Sequence, residues 1–456
     1  MSLEYFFNPQ TVAIIGASHK PGKIGYTILD NFVNGGFQGK VYPVNPNTEP
    51  ILNLKVYPSI KKVPDYIDLA VIAVKAEIVP KVLKECVEKK VKAVVIISSG
   101  FSEIGEKGKK LEEKLRKIIK NKSIRVIGPN VIGVYDSSTK TDTLFLSREK
   151  LKRPKEGGLS FISQSGAVGS TILDILAKEN MGIAKFISYG NAIDVNEADL
   201  IEYLAKDEKT KVIAVYLEGI KADGKKFMEV VRKANKVKPI IFLKSGKSFR
   251  GIKAAASHTG VLAGSARIFS AALRQVRALE AKEWEEFFDA CKVLNSQPLP
   301  KGKEVIIITN GGGFGVLATD EAEKLGLELK DLSKNLKEKL KKNFPEYVSF
   351  SNPLDLTGDA TTERYKIALE NCLKEFDGAI VIILFQVPTL DESIVDVVAE
   401  MQKFKKPIVC CTAGGKYTEK MMERLEEKGL PVFSSPERAV RSYNFLVRRF
   451  LQTKKR

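Results

Sequence analysis

Short runs of apolar residues rich in valine and isoleucine alternate along this chain with longer segments in which lysine and glutamate recur at helical spacing. The apolar runs are continuous, which is typical of strands whose two faces are both covered by helices. This pattern predicts buried strands at residues 11–15, 69–74, 93–97, 212–217, 239–243, 305–309 and 379–384. The predicted fold class is therefore α/β, built on parallel sheets.

Two polar, proline-containing stretches, at residues 147–157 and 295–303, interrupt this alternation and are the best candidates for linkers. They predict three domains, at residues 1–148, 155–296 and 302–456, each of ordinary size for one hydrophobic core. No apolar run reaches the length of a membrane-spanning helix, and the first residues lack the basic and apolar regions of a signal peptide. We therefore expect a cytoplasmic protein that does not bind a membrane.

Composition narrows the class of protein further. The five cysteines are odd in number and lack CxxC spacing, so we predict reduced, buried thiols. The chain has two histidines, His19 and His258, which excludes a multi-histidine site, and we expect no metal on this chain. The net charge of +19 suggests nucleic acid as a ligand, but the lysines are interleaved with glutamates, as on proteins from hot environments. We expect no nucleic-acid partner.

One strand-to-helix turn occurs in the same form at two places in the chain. A predicted strand ends in small and polar residues where a helix begins, at Ser163, Gln164, Ser165 and Gly166 and again at Asn310, Gly311, Gly312 and Gly313. The start of a helix presents unpaired N–H groups at the positive end of its dipole, which suits an oxyanion. One such turn alone is weak support, because tight turns need glycine anyway. Its recurrence at the start of two predicted domains favours phosphate binding.

A third turn, at residues 16–26, follows the first predicted strand and is of the nucleotide-binding type, although it does not match GxGxxG. The second strand, at residues 40–44, ends in Asn45-Pro46-Asn47, without the acidic residue that holds the ribose of NAD. A nicotinamide dehydrogenase is thus a distant alternative. Lys20 and Lys23 suit a heavily phosphorylated nucleotide such as coenzyme A, and we regard the neighbouring His19 as incidental.

Motifs along the whole chain resemble those of the nucleoside-diphosphate-forming acyl-CoA synthetase family, to which succinyl-CoA synthetase is related. In chain order they are GASHKPGKIGY at 16–26, YPVNPN at 42–47, SSGFSEIGE at 98–106, GPN at 128–130, SQSGA at 163–167, LEG at 217–219, AAASHTG at 254–260, NGGG at 310–313 and NPLDLTG at 352–358. The resemblance implies a Rossmann-like CoA-binding domain followed by two flavodoxin-like parallel-sheet domains.

The resemblance also implies an activity and a partner. The expected reaction is acyl-CoA + ADP + phosphate ⇌ carboxylic acid + ATP + CoA, with acetate as the expected acid. This chain would be the α subunit, and the ATP-grasp module, which has no counterpart here, would lie on a separate β subunit of an α2β2 heterotetramer. Coenzyme A and inorganic phosphate are the expected substrates of this chain, and ADP or ATP with Mg²⁺ would bind to the partner.

Site residues follow from the matching motifs. The resemblance implies that His258 carries the phosphoryl group and that Glu218 orients it, with the two glycine-containing helix starts binding phosphate. The residues expected to bind CoA are Gly16, Ala17, Ser18, Pro21, Gly22, Lys23, Val44, Asn45, Pro46, Val74, Lys75, Ser98, Ser99, Gly100, Gly128, Pro129 and Asn130. Those expected to border the acyl pocket are Asn130, Asn352, Pro353 and Asp355.

Two positions near the predicted histidine loop depart from the family pattern. Ala266 stands where relatives commonly carry Asp, and the segment at residues 275–277 reads Gln-Val-Arg where Gly is frequent. Two alternative functions also stay open. One is a CoA-binding regulatory protein without turnover, and the other is the same mechanism acting on aryl, branched or fatty acids.

Overall fold

The computed structural model describes residues 2–248, 250–251 and 265–454. The chain forms two compact units, Met1–Glu280 and Ala281–Arg456. Strands such as those at Leu69–Ile72, Val212–Leu217 and Val305–Thr309 are buried at every residue, which explains their continuous apolar sequence. None of the described helices is long and apolar enough to cross a membrane.

The first unit begins with a five-stranded parallel sheet in the order β2-β1-β3-β4-β5. Its strands are β1 (Thr11–Ile15), β2 (Lys40–Val44), β3 (Leu69–Ile72), β4 (Ala93–Ile96) and β5 (Arg125–Ile127), and its helices are α1 (Ile24–Val33), α2 (Val79–Glu88) and α3 (Glu106–Ile119). Beyond β2, Tyr57 forms a single parallel bridge with Val44. Counted with this bridge, the parallel strands follow the 3-2-1-4-5-6 order of the Rossmann fold.

The second sheet of this unit has the order β11-β10-β9-β7-β8-β6. Its strands are β6 (Val134–Asp136), β7 (Glu156–Ser163), β8 (Ile183–Ser188), β9 (Val212–Leu217), β10 (Ile240–Lys244) and β11 (Leu279–Ala281), and its helices are α4 (Gly166–Lys178), α5 (Glu197–Lys206), α6 (Gly224–Val237) and α7 (Ala266–Gln275). Strand β6 pairs antiparallel with β8. The other strands follow the flavodoxin-like order 2-1-3-4-5.

The second unit contains one six-stranded sheet in the order β13-β14-β12-β15-β16-β17. Its strands are β12 (Val305–Thr309), β13 (Ser349–Phe350), β14 (Leu354–Asp355), β15 (Gly378–Ile382), β16 (Ile408–Cys411) and β17 (Val432–Phe433). Its helices are α8 (Trp284–Ser296), α9 (Gly312–Lys324), α10 (Lys334–Lys341), α11 (Thr362–Glu375), α12 (Ile394–Glu400), α13 (Lys416–Glu427) and α14 (Pro436–Lys454). With the antiparallel β13 left out, this sheet also follows the order 2-1-3-4-5.

Several predictions about the fold can be compared with these elements. The fold class is confirmed, and all five cysteines are free and buried, as expected. Strand β6 comes from residues that the sequence assigns to the first domain, yet it extends the second sheet. Helix α8 lies before the predicted second linker, yet Arg438 of α14 binds Asp289 of α8 at 2.7 and 2.9 Å. The three sets of domain boundaries stay a prediction.

Candidate functional site

A cavity of about 580 Å³ lies at the carboxyl ends of strands in the first unit. Ligands of open parallel sheets bind at this edge, because the helix N-termini and the connecting turns meet there. The predicted site residues that line the cavity are Val74, Lys75, Ser98, Ser99, Asn130, Gln164, Ser165 and Gly166. The structure thus brings residues predicted to bind CoA next to residues predicted to bind phosphate.

The turn after β4 is fixed by a carboxylate that the sequence reading did not single out. The Ser98 hydroxyl donates to the carbonyl oxygen of Val74 at 2.5 Å. The backbone amides of Gly100 and Phe101 donate to Glu103 Oε1 at 2.6 and 3.0 Å. Burial alone would raise the pKa of Glu103, but hydrogen bonds from Asn191 and these amides hold it below its usual value. Glu103 is therefore an ionised brace for the Ser98–Gly100 turn.

Asn191 is a second cavity residue that sequence reasoning missed. Its side chain is almost completely buried and lines the cavity. Its Nδ2 lies 2.7 Å from Glu103 Oε2, 3.0 Å from Glu112 Oε2 and 3.1 Å from Ser102 Oγ. It joins the turn after β8 to the first sheet. Its partners come from distant parts of the sequence, and no local motif marks it.

The turn between β1 and α1 lies beside this cavity, and Ile24, the first residue of α1, is part of its lining. Gly16 has φ +94°, and a Cβ there would lie 2.3 Å from the carbonyl oxygen of Ala73, so only glycine fits. The Asn45 side chain donates to the carbonyl of Ala17 at 2.7 Å. No side chain caps the start of α1. Its first N–H groups are therefore available to an anion.

The remaining predicted CoA residues lie outside the cavity lining. They are Gly16, Ala17, Ser18, Pro21, Gly22, Lys23, Val44, Asn45, Pro46, Gly100, Gly128 and Pro129. Gly100 lines a neighbouring open groove of about 650 Å³, which shares Lys75 and Ser99 with the cavity. Lys107, Lys110 and Lys114 of α3 also line this groove. The groove gives the cavity a positively charged approach, which favours anionic ligands.

The turn after β7 begins α4 at Gly166, as predicted. Gln164 Oε1 accepts hydrogen bonds from the amides of Glu218 at 2.7 Å and Gly219 at 3.0 Å. Its amide nitrogen is buried and has no hydrogen-bond partner within residues 2–248, 250–251 and 265–454. Because Gln164 lines the cavity, this nitrogen is a donor that a ligand can use. Sequence reasoning identified the residue but not its role in joining β7 to β9.

Glu218 follows β9 directly and is almost completely buried. Burial raises the pKa of Tyr216, and the charge and hydrogen bond of the adjacent Glu218 carboxylate raise it further. The predicted phosphoryl carrier, His258, lies outside the described residues. Arg277, at the departure from the family pattern, has φ +56°, a conformation that glycine adopts without strain. A glycine at this position, which the family pattern leads us to expect within residues 275–277, would take up this conformation at no steric cost.

The predicted residues of the second unit are held by backbone contacts. The Asn310 side chain donates to the carbonyl of Leu384 at 3.0 Å and accepts from the Leu384 amide at 2.8 Å. Asn352 accepts from the amide of Ile307 at 3.1 Å, beside Pro353, and Asp355 accepts from the amide of Thr357 at 2.9 Å. Helix α9 begins at Gly312 without a side-chain cap, so its first amides are open. The ligand roles of these residues stay predictions.

Comparison with known proteins now decides the family. Residues 10–137 match the CoA binding domain, residues 156–294 the succinyl-CoA ligase like flavodoxin domain, and residues 305–443 the Ligase-CoA domain. The chain is 44% identical to the acetate–CoA ligase [ADP-forming] I subunit alpha of Pyrococcus furiosus, over 98% of this chain and 97% of that relative. This chain belongs to the ADP-forming acetate–CoA ligase family. Members of this family are acid–thiol ligases, and the predicted family resemblance is confirmed.

Two further relatives agree. The chain is 42% identical to the acetate–CoA ligase [ADP-forming] of Methanocaldococcus jannaschii, over 97% of this chain but only 63% of that longer protein. A solved structure of the acetyl-coenzyme A synthetase 1 of Candidatus Korarchaeum cryptofilum, in complex with phosphate and ADP, superposes with a TM-score of 0.94 at 36% identity, covering 100% of this chain and 98% of that one. The word subunit in the name of the P. furiosus relative implies a partner chain.

Proposed function

We propose that this chain is the α subunit of an ADP-forming acetyl-CoA synthetase and that it makes an acyl phosphate and then a phosphohistidine. The observation that carries the proposal is the cavity in the first unit. It is lined by Ser98 and Asn130, from motifs expected to bind CoA, and by Ser165 and the start of α4, from a motif expected to bind phosphate. A thioester and a phosphate ion bound to these two sides would meet inside the cavity.

The proposed chemistry has three steps. A phosphate oxygen attacks the thioester carbonyl, the C–S bond breaks, and CoA leaves as the thiolate. A nitrogen of His258 then attacks phosphorus, the P–O bond to the acyl group breaks, and the carboxylate leaves. Finally a terminal oxygen of ADP takes the phosphoryl group, the N–P bond breaks, and ATP and free imidazole result. A neutral imidazole suits this carrier role, because it is a good nucleophile near neutral pH.

In the second step, hydrogen-bond donors and a carboxylate among the described residues would act on the phosphoryl group and on the imidazole. The N-terminal amides of α4 and the unpartnered Gln164 nitrogen would stabilise charge on the phosphoryl oxygens. Oriented amides need no reorganisation during the reaction. Glu218 would hold the other imidazole nitrogen, which keeps the ring in the reactive tautomer and stabilises the imidazolium that forms.

Two surfaces would guide CoA into the site: the start of α1, with its free amides, and the positively charged groove beside the cavity. Its pantetheine arm would enter the cavity past Val74 and Ser98, and its phosphates would lie toward the uncapped start of α1 with Lys20 and Lys23. Lys75 lines both the cavity and the open groove. Asn130, on the cavity wall, would contact the acyl group, and the acid is expected to be acetate.

The third step requires a nucleotide site, which we assign to a partner β subunit with an ATP-grasp module that binds ADP and Mg²⁺. The P. furiosus relative of matching length is called a subunit, and the M. jannaschii relative carries additional chain. We propose an α2β2 assembly in the cytoplasm.

Labelling of the purified chain tests the proposal. We expect acetyl-CoA and radiolabelled inorganic phosphate to give acid-labile, base-stable label on the wild-type chain, because phosphohistidine has this stability. His258→Ala should abolish the label while leaving CoA affinity within about twofold, because CoA binds through other residues. His19→Ala, the other histidine of the chain, is the matched control and should label normally.

Two results would contradict the proposal. Absence of label on the wild-type chain, even with the partner present, would leave a CoA-binding protein without turnover. Label on the His258→Ala variant would move the phosphoryl carrier to another residue. Parallel assays with feruloyl-CoA and 4-hydroxybutyryl-CoA test the acid, because relatives named for these acids are 32% and 36% identical to this chain.

A further inference from the structure

The turn that carries Glu218 is held at its backbone by three buried side chains from three different elements. Gln164 accepts from the amides of Glu218 and Gly219, at 2.7 and 3.0 Å. Glu197, the first residue of α5, accepts from the amides of Lys221 and Ala222 at 2.8 and 2.9 Å. The third side chain belongs to Lys244, the last residue of β10.

Lys244 contacts Glu218 through the main chain. Its ammonium donates to the carbonyl oxygen of Glu218 at 3.0 Å and to that of Ser245 at 2.9 Å. It also lies 6.0 Å from the centre of the Phe269 ring. The side chain is almost completely buried, and its hydrogen bonds in the described part of the chain go to these two carbonyls. A buried ammonium bound only to neutral groups is unfavourable unless a nearby negative charge compensates it.

Glu218 is the compensating charge. Burial lowers the pKa of Lys244, and the Glu218 carboxylate opposes that effect. Among the described residues, the other titratable groups that face Glu218 are Tyr189, from the turn after β8, Tyr216 at the end of β9, and Lys221 in the same turn. Two of the four are cationic lysines, and Lys244 is the one whose ammonium also binds the Glu218 backbone.

The sheet of the second unit offers a built-in comparison. In the second sheet the last paired residues of β9 and β10 are Leu217 and Lys244, and Glu218 follows. In the third sheet Ile382 pairs with Cys411, and Ile383 and Thr412, one residue further along, match Leu217 and Lys244. In the second sheet the Gln164 side chain accepts from the backbone amide of Glu218. In the third sheet the Asn310 side chain accepts from the backbone amide of Leu384 in the same way. The lysine and the glutamate thus occur together in one sheet, and both are replaced by uncharged residues in the other.

We propose that Lys244 is a positioning residue for the phosphoryl transfer, which holds the Glu218 turn in place and supplies a positive charge beside it. This inference rests on the proposed function, in which that carboxylate binds the imidazole. Lys244 does not touch the reacting atoms. It acts through Glu218, by two hydrogen bonds to backbone carbonyls and by its positive charge.

The test compares the pH dependence of labelling in two lysine variants. Lys244→Met removes the positive charge beside the turn, and loss of a nearby positive charge favours the protonated form of a carboxyl group. The acidic limb of the labelling rate should therefore move up by about one pH unit. The rate at neutral pH should fall at least about tenfold, and the KM for acetyl-CoA should stay within about twofold. Lys244→Arg keeps the charge and should leave the acidic limb at its wild-type position.

Lys238 provides the matched control, because its ammonium also donates to two backbone carbonyls, those of Leu204 and Asp207. It precedes the other end of β10, and burial lowers its pKa too. Lys238→Met should leave the acidic limb unmoved. An equal loss of rate at every pH in Lys244→Met would reduce Lys244 to a structural role and overturn the proposal.

Two further measurements distinguish a specific effect of Lys244 from misfolding of the variant and from failure of the proposed function. Thermal unfolding shows whether each variant is folded. If Lys244→Met does not fold, Lys244→Gln replaces it, because glutamine keeps one donor group but carries no charge. The same shift of the acidic limb is expected in Lys244→Gln. Absence of label on the wild-type chain contradicts the proposed function, whereas normal label with an unchanged pH profile in Lys244→Met contradicts this inference alone.

Discussion

The second and third sheets have the same architecture but carry different chemistry. Both follow the strand order 2-1-3-4-5, and each has a short antiparallel strand beside the same edge, β6 in one and β13 in the other. The hydroxyls of Ser163 and Thr309 donate to the carbonyls of Ser165 and Gly311, two residues further on. In both sheets an amide side chain then joins the first parallel strand to its neighbour.

The differences lie in charge and in the exposed faces of the helices. Glu218 and Lys244 of the second sheet have uncharged counterparts, Leu384 and Thr412, in the third. Helix α4 continues with Ser170 and Thr171, whereas α9 continues with Val316 and Leu317, which are 59% and 44% exposed. The same backbone thus presents a helix start twice, capped by the Ser165 hydroxyl in α4 and uncapped in α9, but the charged groups proposed for the phosphoryl transfer accompany only one copy.

The largest expected effect comes from placing glutamine at the two matched positions. Glu218→Gln should slow phosphohistidine formation about 100-fold or more, because a neutral amide does not stabilise the imidazolium. Leu384→Gln puts the same side chain after β15 and should slow it less than about threefold. Rapid-quench measurement of the acid-labile label gives both rates. Equal slowing in the two variants would mean that the charge difference between the sheets has no part in the transfer.

An intermediate effect is expected when the bridging amides are removed. Gln164→Leu leaves two buried backbone groups unpaired and Asn310→Leu two partly buried ones, and each variant should destabilise its own unit by about 2–4 kcal/mol. Hydrogen exchange, read peptide by peptide, should show faster exchange around β9 in the first variant and around β15 in the second. The fluorescence of Trp284, the only tryptophan, reports on the second unit and should respond to Asn310→Leu.

If hydrogen exchange became faster to the same extent in both units of either variant, Gln164 and Asn310 would not act as local bridges between strands. Gln38→Leu is a suitable control, because this exposed glutamine donates to the carbonyl of Gly36, two residues before it. It should change the free energy of unfolding by less than about 0.5 kcal/mol.

The smallest effect is expected on the exposed apolar face of α9. Val316→Ser copies the residue at the matching position of α4. Because Val316 is mostly exposed, the free energy of unfolding should change by less than about 0.5 kcal/mol in thermal or urea unfolding of the isolated chain. A larger destabilisation would show that this face is covered in the folded chain.

Much of the fold was predictable because it rests on local patterns. The continuous apolar runs indicated parallel strands, and the glycine-containing turns indicated where α4 and α9 begin. Strands β13, β14 and β17 have two residues each and were missed, because such short segments have no periodicity.

The candidate site was predictable in part. Ser98, Asn130 and Ser165 lie in motifs, and the structure gathers them around one cavity. Glu103 and Asn191 were missed as braces of that cavity, because their hydrogen bonds join segments about ninety residues apart. Asn310 and Asn352 were predicted as ligand-binding residues, and their bonds to backbone groups became visible only in the folded sheet.

By itself, the sequence determined the family and the α/β class and predicted the residues proposed for phosphoryl transfer, because these depend on short motifs and on the spacing of apolar residues. The tertiary structure decided which turns share a cavity, which amide side chains serve the backbone, and which lysine lies beneath Glu218. These features depend on strand order and register, which bring distant segments to the same sheet edge. Whether Lys244 is a solvated lysine or a buried charge beside a carboxylate is set by that packing, and the sequence around it does not reveal it.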